Sequence, residues 1–294
     1  MVLAGRLRVY LIALWIVGSG SNIVNAAGPV AETSTATIVE NVSYQNITAL
    51  PWREADHRFN YGPQSLQFGG LWLPESASAD NPAPLVIFVH GGCWLSAYDI
   101  RHSYPLSTAL ADSGFAVWSI EYRRSGDPGG GWPGSLEDVI AGISHIRQLQ
   151  DFSVDLERVV LTGHSAGGHL ALLAAQHNDL PSLDAVVGLA AITDISEYAL
   201  GDNGCQKAAA GFMGGSSLQA PAAYEQAQIS VDKLPSTVSL LHGEQDSIVP
   251  LTQSDGFEHH RLPRAGHFDW LHPQTPAYRL LINRLEHYLP EHTP

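Results

Sequence analysis

Lysine is nearly absent from this chain. Lys207 and Lys233 are the only two, so thirteen of the fifteen basic residues are arginine, set against 29 acidic ones. The resulting net charge of −14 excludes the basic footprint that holds nucleic acid or an anionic membrane surface. Cysteine occurs twice, at Cys93 and Cys205, and no His-Glu-x-x-His or Cys/His cluster has the spacing of a metal site. No Gly-x-Gly-x-x-Gly or phosphate loop is present, so no nucleotide site is indicated. There is no internal repeat, and no later apolar run reaches the ~20 residues of a spanning helix.

What the chain does contain is an ordinary globular composition, with 45% hydrophobic residues, 28 Gly and 18 Pro over 294 residues. That is enough for one well-buried domain. Arg6 and Arg8 precede an apolar run from Val9 to Val17, and "VNAAG" follows. This is the pattern of a secretory leader cut after Ala26. An uncleaved anchor would need a longer run, and no cysteine follows it to carry a lipid. The expected organisation is therefore a leader over 1–26, a flexible mature N-terminus over 27–58, and one domain over 59–294, with a secreted or periplasmic protein as the outcome. Two Asn-x-Ser/Thr sequons, at Asn41 and Asn46, matter only in a eukaryotic host.

From residue 65 onward strands and helices alternate. Strands are expected over 65–73, 85–89, 115–120, 159–161, 185–189 and 238–241, and helices over 102–113, 136–149, 166–176 and 276–289. Strands that are apolar throughout and alternate with helices predict an α/β fold, a mostly parallel sheet covered on both faces. In such sheets ligands bind at the carboxyl edge of the strands.

"VVLTGHSAGGHLALLAA" places Ser165 at that edge, on a strand-to-helix turn, with Gly163 and Gly167 at Gly-x-Ser-x-Gly spacing. A serine on such a turn projects its hydroxyl beside backbone amides of a helix start. It needs a base, and the base needs an orienting acid. Among fourteen histidines, His267 in "PRAGHFDW" stands out, because its loop follows the last strand candidate and returns to the carboxyl edge. Asp246, in the loop after "VSLLHG", gives the chain order Ser, Asp, His expected here. Asp194 is an alternative acid and Glu244 a distant third. "PLVIFVHGGCW" opens a buried strand into a glycine loop, whose Gly92 and Cys93 amides, with that of Ala166, would face a developing oxyanion.

The motifs "HGGCW", "EYRRSGDPGGGWPGSLEDV", "GHSAGGHLAL", "HGEQDSIVP" and "RAGHFDW" together resemble the α/β-hydrolase superfamily over roughly residues 60–290. Within it they resemble the esterase and arylformamidase branch, which includes kynurenine formamidases and feruloyl or acetyl-xylan esterases. The resemblance implies Ser165 as nucleophile, Asp246 as acid, His267 as base, residues 90–94 as the oxyanion loop, and no cofactor. The leader, the short Ala- and Gly-rich insertion over 195–236 and the lack of clustered basic residues favour a carboxylic ester with a short or aromatic acyl group as substrate, with formamide or small-amide hydrolysis as the alternative and a non-catalytic binding module as a further one. The chain departs from the family in one place. Sixteen residues separate Pro250 from His267, room for one short helical turn and a short strand only.

Residues 195–236 exceed a normal connection and are expected to form a small lid. Phe212 and Tyr224 in this insertion, with Trp94 and Trp132, are candidate pocket walls, Trp94 and Trp132 being equally placed for the core. Cys93 and Cys205 should both lie near the catalytic edge, where a disulfide and two separate thiols are the alternatives.

Overall fold

A computed structural model describes residues 38–290; the expected leader and the first part of the mature N-terminus lie outside them. In chain order the elements are α1 (Tyr44–Thr48), β1 (His57–Asn60), β2 (Phe68–Trp72), β3 (Ala83–Val89), α2 (Tyr104–Asp112), β4 (Ala116–Ile120), α3 (Gly134–Ser144), β5 (Val154–His164), α4 (Ala166–Ala174), β6 (Ala185–Leu189), α5 (Ile195–Tyr198), α6 (Gly204–Met213), α7 (Pro221–Gln226), β7 (Val238–Gly243), β8 (Glu258–Leu262) and α8 (Pro276–Tyr288). The strands form one eight-stranded sheet in the order β1-β2-β4-β3-β5-β6-β7-β8. β1, β2 and β4 pair antiparallel, and every other pairing is parallel.

Side chains alternate across each strand, and that alternation builds two cores. On one face Leu85, Ile87, Val89 and Leu161 meet Val139 and Ile143 of α3 and Leu170 of α4. On the other, Val86, Phe88, Val117 and Val160 meet Leu106 and Leu110 of α2 and Leu281 and Leu285 of α8. β-branched and aromatic residues suit the pleated, doubly buried surface. Helix boundaries follow local chemistry: Thr275 caps α8 by accepting from the Tyr278 amide, and Pro276 occupies its first turn, where its missing N–H costs nothing.

Two expectations change. Residues 38–58 do not form a loose tail. Ser43 and Asn46 close a capping box on α1, Ile47 is fully buried in the second core, and the Arg53 amide donates to Thr108 Oγ1. An apolar anchor and satisfied backbone groups fix this segment to the domain. The strand expected over 159–161 is longer, Val154–His164, because a register shift opposite Pro84/Leu85 lets its first residues pair as well. The short gap before His267 holds a 3-10 turn, Leu251–Ser254, and then β8, as its length requires. Among the described residues no helix is long and apolar enough to cross a membrane.

Candidate active site

β3, β5, β7 and β8 run parallel, so the loops after Val89, His164, Gly243 and Leu262 leave the sheet at one edge. Ser165 stands between β5 and α4 with φ 56° and ψ −121°, a conformation that side-chain-bearing residues avoid unless their surroundings impose it. The surroundings here do so. The Ser165 amide donates to the Leu189 carbonyl at 2.9 Å, and a Cβ on Gly167 would collide with the carbonyls of Val89 and His90. Glycine at 167 is what lets α4 close against β3.

His267 follows β8 and reaches Asp246 after β7. Its Nδ1–H donates to Asp246 Oδ2 at 2.8 Å. The other oxygen, Oδ1, accepts from the amides of Ile248 and Val249 at 2.8 Å each. Burial alone would raise the Asp246 carboxyl. The adjacent His267, hydrogen bonds from His242 and His267, and the Val249 amide outweigh it and hold the group well below the usual carboxylate range. Asp194, the alternative acid, is used elsewhere: its Oδ1 accepts from Ser196 and Glu197 amides and caps α5. Glu244 is exposed.

The loop after β3 turns through three successive left-handed residues, Gly92 (φ 115°), Cys93 (φ 54°) and Trp94 (φ 58°). Among the described residues, none of the amides of Gly92, Cys93 and Ala166 donates to a protein acceptor. The loop is braced from behind. His90 is buried, its Nε2 lies 2.9 Å from Glu121 Oε1, and the Tyr122 hydroxyl donates to the His90 carbonyl at 2.9 Å. Glu121 is buried yet stays below the ordinary carboxyl range, because His90, Arg124 and the Ile100 amide offset the cost of burial. It is braced from the side by a disulfide between Cys93 and Cys205 of α6, with Cα atoms 5.0 Å apart. The bridge, one of two expectations for these residues, is the one found.

Ser165, His267, Gly92 and Cys93 line one cavity of about 160 Å³, together with Tyr44, Tyr98, His102, His164, Cys205, Ile248 and Phe268. This is small beside the ~300–1,000 Å³ of drug-sized pockets. No Asp, Glu, Lys or Arg contributes to its wall. Burial, reinforced by the neighbouring His90, lowers the pKa of His102 to about 3, and burial pushes that of His164 well below its usual value. His164 Nε2–H donates to the His267 carbonyl at 2.9 Å and so supports the loop that carries His267.

The aromatic walls differ from those expected. Trp94 is fully buried and stacks on Phe212 with centroids 4.9 Å apart. Tyr224 is in the same core, and Trp132 packs against it. Trp94, with a left-handed backbone, carries its side chain into the interior, while Gly92 and Cys93 line the cavity. All four candidates are packing residues. The residues missed are Tyr44, Tyr98, His102, Ile248 and Phe268. Phe268 carried a signal, adjacency to His267; Tyr44 carried none.

Comparison with known proteins agrees with this fold. Esterase LipC of Mycobacterium tuberculosis is 28% identical over 284 residues, covering 81% of this chain and 67% of that protein. Esterase LipQ of the same organism is 33% identical over 125 residues, but these span 42% of this chain and only 29% of LipQ. The solved structure of esterase B from Lactobacillus rhamnosis shares the fold with a TM-score of 0.67 at 21% identity, over 83% of this chain and 89% of that one. A carbohydrate esterase from gut microbiota superposes with a TM-score of 0.66 at 20% identity, over 81% and 98%. The family model BD-FAE matches residues 71–260, about two thirds of the chain and the whole of the sheet from β3 to β7, so the chain belongs to the BD-FAE family of α/β-hydrolases.

Proposed function

We propose that the protein is a serine hydrolase of carboxylic esters with short or aromatic acyl groups. One observation carries the reading: a strained serine and an aspartate-bound histidine share a small uncharged cavity with Gly92 and Cys93, whose amides donate to no protein acceptor among the described residues. Ser165 Oγ attacks the ester carbonyl while His267 Nε2 takes its proton. The carbonyl oxygen becomes an oxyanion facing the Gly92, Cys93 and Ala166 amides; removing one such donor typically costs ~2.7–4 kcal/mol. Collapse expels the alcohol, which receives the proton from His267. Water activated by His267 then releases the acid from the acyl-serine. Asp246 stays ionised throughout and holds the imidazole in the tautomer that leaves Nε2 free.

The small cavity supports a short or flat acyl group, and its uncharged wall favours a neutral ester over a substrate bearing a free carboxylate. No cofactor has a role in these steps. Export from the cytoplasm belongs to the same proposal: the leader-like pattern over 1–26 and the Cys93–Cys205 bridge both suit an oxidising compartment. Mass measurement of the exported chain should find it beginning at Ala27.

The test is twofold. A fluorophosphonate probe should label the wild-type chain at Ser165, and Ser165→Ala should abolish labelling and lower kcat by ~10⁴-fold or more in a folded protein. A panel of acetyl, butyryl and benzoyl esters beside N-formylkynurenine then fixes the substrate class. A tenfold preference for the formamide, about 1.4 kcal/mol of transition-state discrimination, would replace the ester reading with the arylformamidase one.

A further inference from the structure

The cover of the catalytic cavity does not come from the insertion over 195–236, which gives its wall Cys205 alone. It comes from a segment that precedes the family match at residue 71. Tyr44 opens α1 and lines the cavity with Ser165 and His267. Its ring meets Tyr98 edge-on at 5.6 Å, and lies 5.7 Å from both His102 and Phe268. Tyr44 thus joins the oxyanion side of the cavity, through Tyr98, to the histidine side, through Phe268.

The segment is fastened at the points where a cover needs fastening. Ile47 is buried beneath α1, and Val42 packs on the same core. The carboxylate of Asp269 accepts from the Gly266 amide at 2.6 Å, and Asn41 packs so closely on Gly266 that a Cβ there would collide with its side chain. Glu40 pairs with Arg264 at 2.8 Å. The chain around Tyr44 is therefore tied to the loop that carries His267, and the ring stands in the cavity wall between Tyr98 and Phe268. A rigid aromatic ring held this way sets a size limit, because neither the ring nor its neighbours yield without breaking these contacts.

We infer that Tyr44 is a specificity-determining residue, which bounds the group bound beside Ser165 and restricts the enzyme to small esters. The inference rests on the ester reading above. Its substrates are a series of p-nitrophenyl esters of increasing acyl length and a series of acetate esters of increasing alcohol size. Tyr44→Ala should raise kcat/KM for the larger members relative to the smallest by about tenfold or more in at least one series, the scale of discrimination a hydrophobic pocket exerts. Tyr44→Phe, which keeps the ring, should retain the wild-type ratio. Tyr44→Trp should shift the ratio toward the smallest ester, which keeps the test decisive should the alanine variant unfold. A wild-type enzyme that turns over esters, with ratios unchanged in both series for the alanine and tryptophan variants, overturns the inference alone. A wild-type enzyme that turns over no ester overturns the ester reading and this inference with it.

Discussion

Asp246 and Asp194 leave neighbouring strands at the same edge, and their different partners give them different roles. Asp246→Asn would pair an amide with His267 and favour the wrong imidazole tautomer, with an expected loss in kcat of up to ~10⁴-fold. Asp194→Asn keeps an oxygen for the Ser196 and Glu197 amides, and Asn caps a helix about as well as Asp, so kcat should stay within about threefold and stability within ~0.5 kcal/mol. Steady-state kinetics on the two folded variants check the ranking; a reversed order would move the acid to Asp194. That Ser165, Asp246 and His267 come together was legible because each sits in a motif with its own backbone geometry: a glycine-bracketed serine, an acid after a strand, a histidine in a glycine turn. The walls were not. A large aromatic beside a motif looks the same in sequence whether it faces the cavity, like Phe268, or the core, like Trp94, and the left-handed turn that decides it for Trp94 has no residue signature beyond Gly92.

At the scale of elements, buried strands were readable and edge strands were not. "PLVIFV" and "AVVGL" are apolar throughout because helices cover both faces. β1 reads "HRFN" and β8 "EHHRL", polar sequences that suit strands at the two margins of a sheet; only the shortness of the gap before His267 called for β8. The join between the oxyanion loop and α6 also belongs to this scale. The Cys93–Cys205 bridge holds the loop proposed to receive the oxyanion. Reduction, or Cys205→Ser, should lower kcat by roughly 10–100-fold with little change in KM, since a donor displaced by ~1 Å is lost mainly in the transition state. Rates measured well below the melting temperature, after thiol counting has verified reduction, test this. An unchanged kcat in the fully reduced enzyme would show that the loop holds itself.

For the whole molecule, the buried histidines set the response to acid. Burial lowers the pKa of His102 to about 3 and of His169 to about 4, and lowers that of His164 strongly. In the unfolded chain each titrates near ~6.5. Between those values the unfolded state binds more protons than the folded one, so stability is full above about pH 6.5 and falls as pH drops toward 4. The slope is up to ~1.4 kcal/mol per pH unit for each such histidine. Asp246, with its lowered carboxyl pKa, adds its own loss only below about pH 4. Thermal melts from pH 8 to pH 4 should show the melting temperature falling from near pH 6.5 downward. The slope should ease in His169→Gln, provided that variant keeps its packing against Trp94; a melting temperature flat down to pH 4.5 would contradict the assignment.

The stretch matched by the family model and the proposed catalytic set have different borders. Residues 71–260 contain Ser165 and Asp246. They leave out His267, the Gly266 turn on which Asn41 packs, and Tyr44 in the cavity wall. A fragment trimmed to the shared stretch would present the proposed nucleophile and acid without the proposed base. A chimera that exchanged only that stretch would graft one enzyme's serine under another's roof and beside another's histidine. Recombination of this enzyme with its relatives should therefore carry residues 38–48 and the segment from β8 through α8 as a single exchange unit, although more than two hundred residues lie between them in the chain.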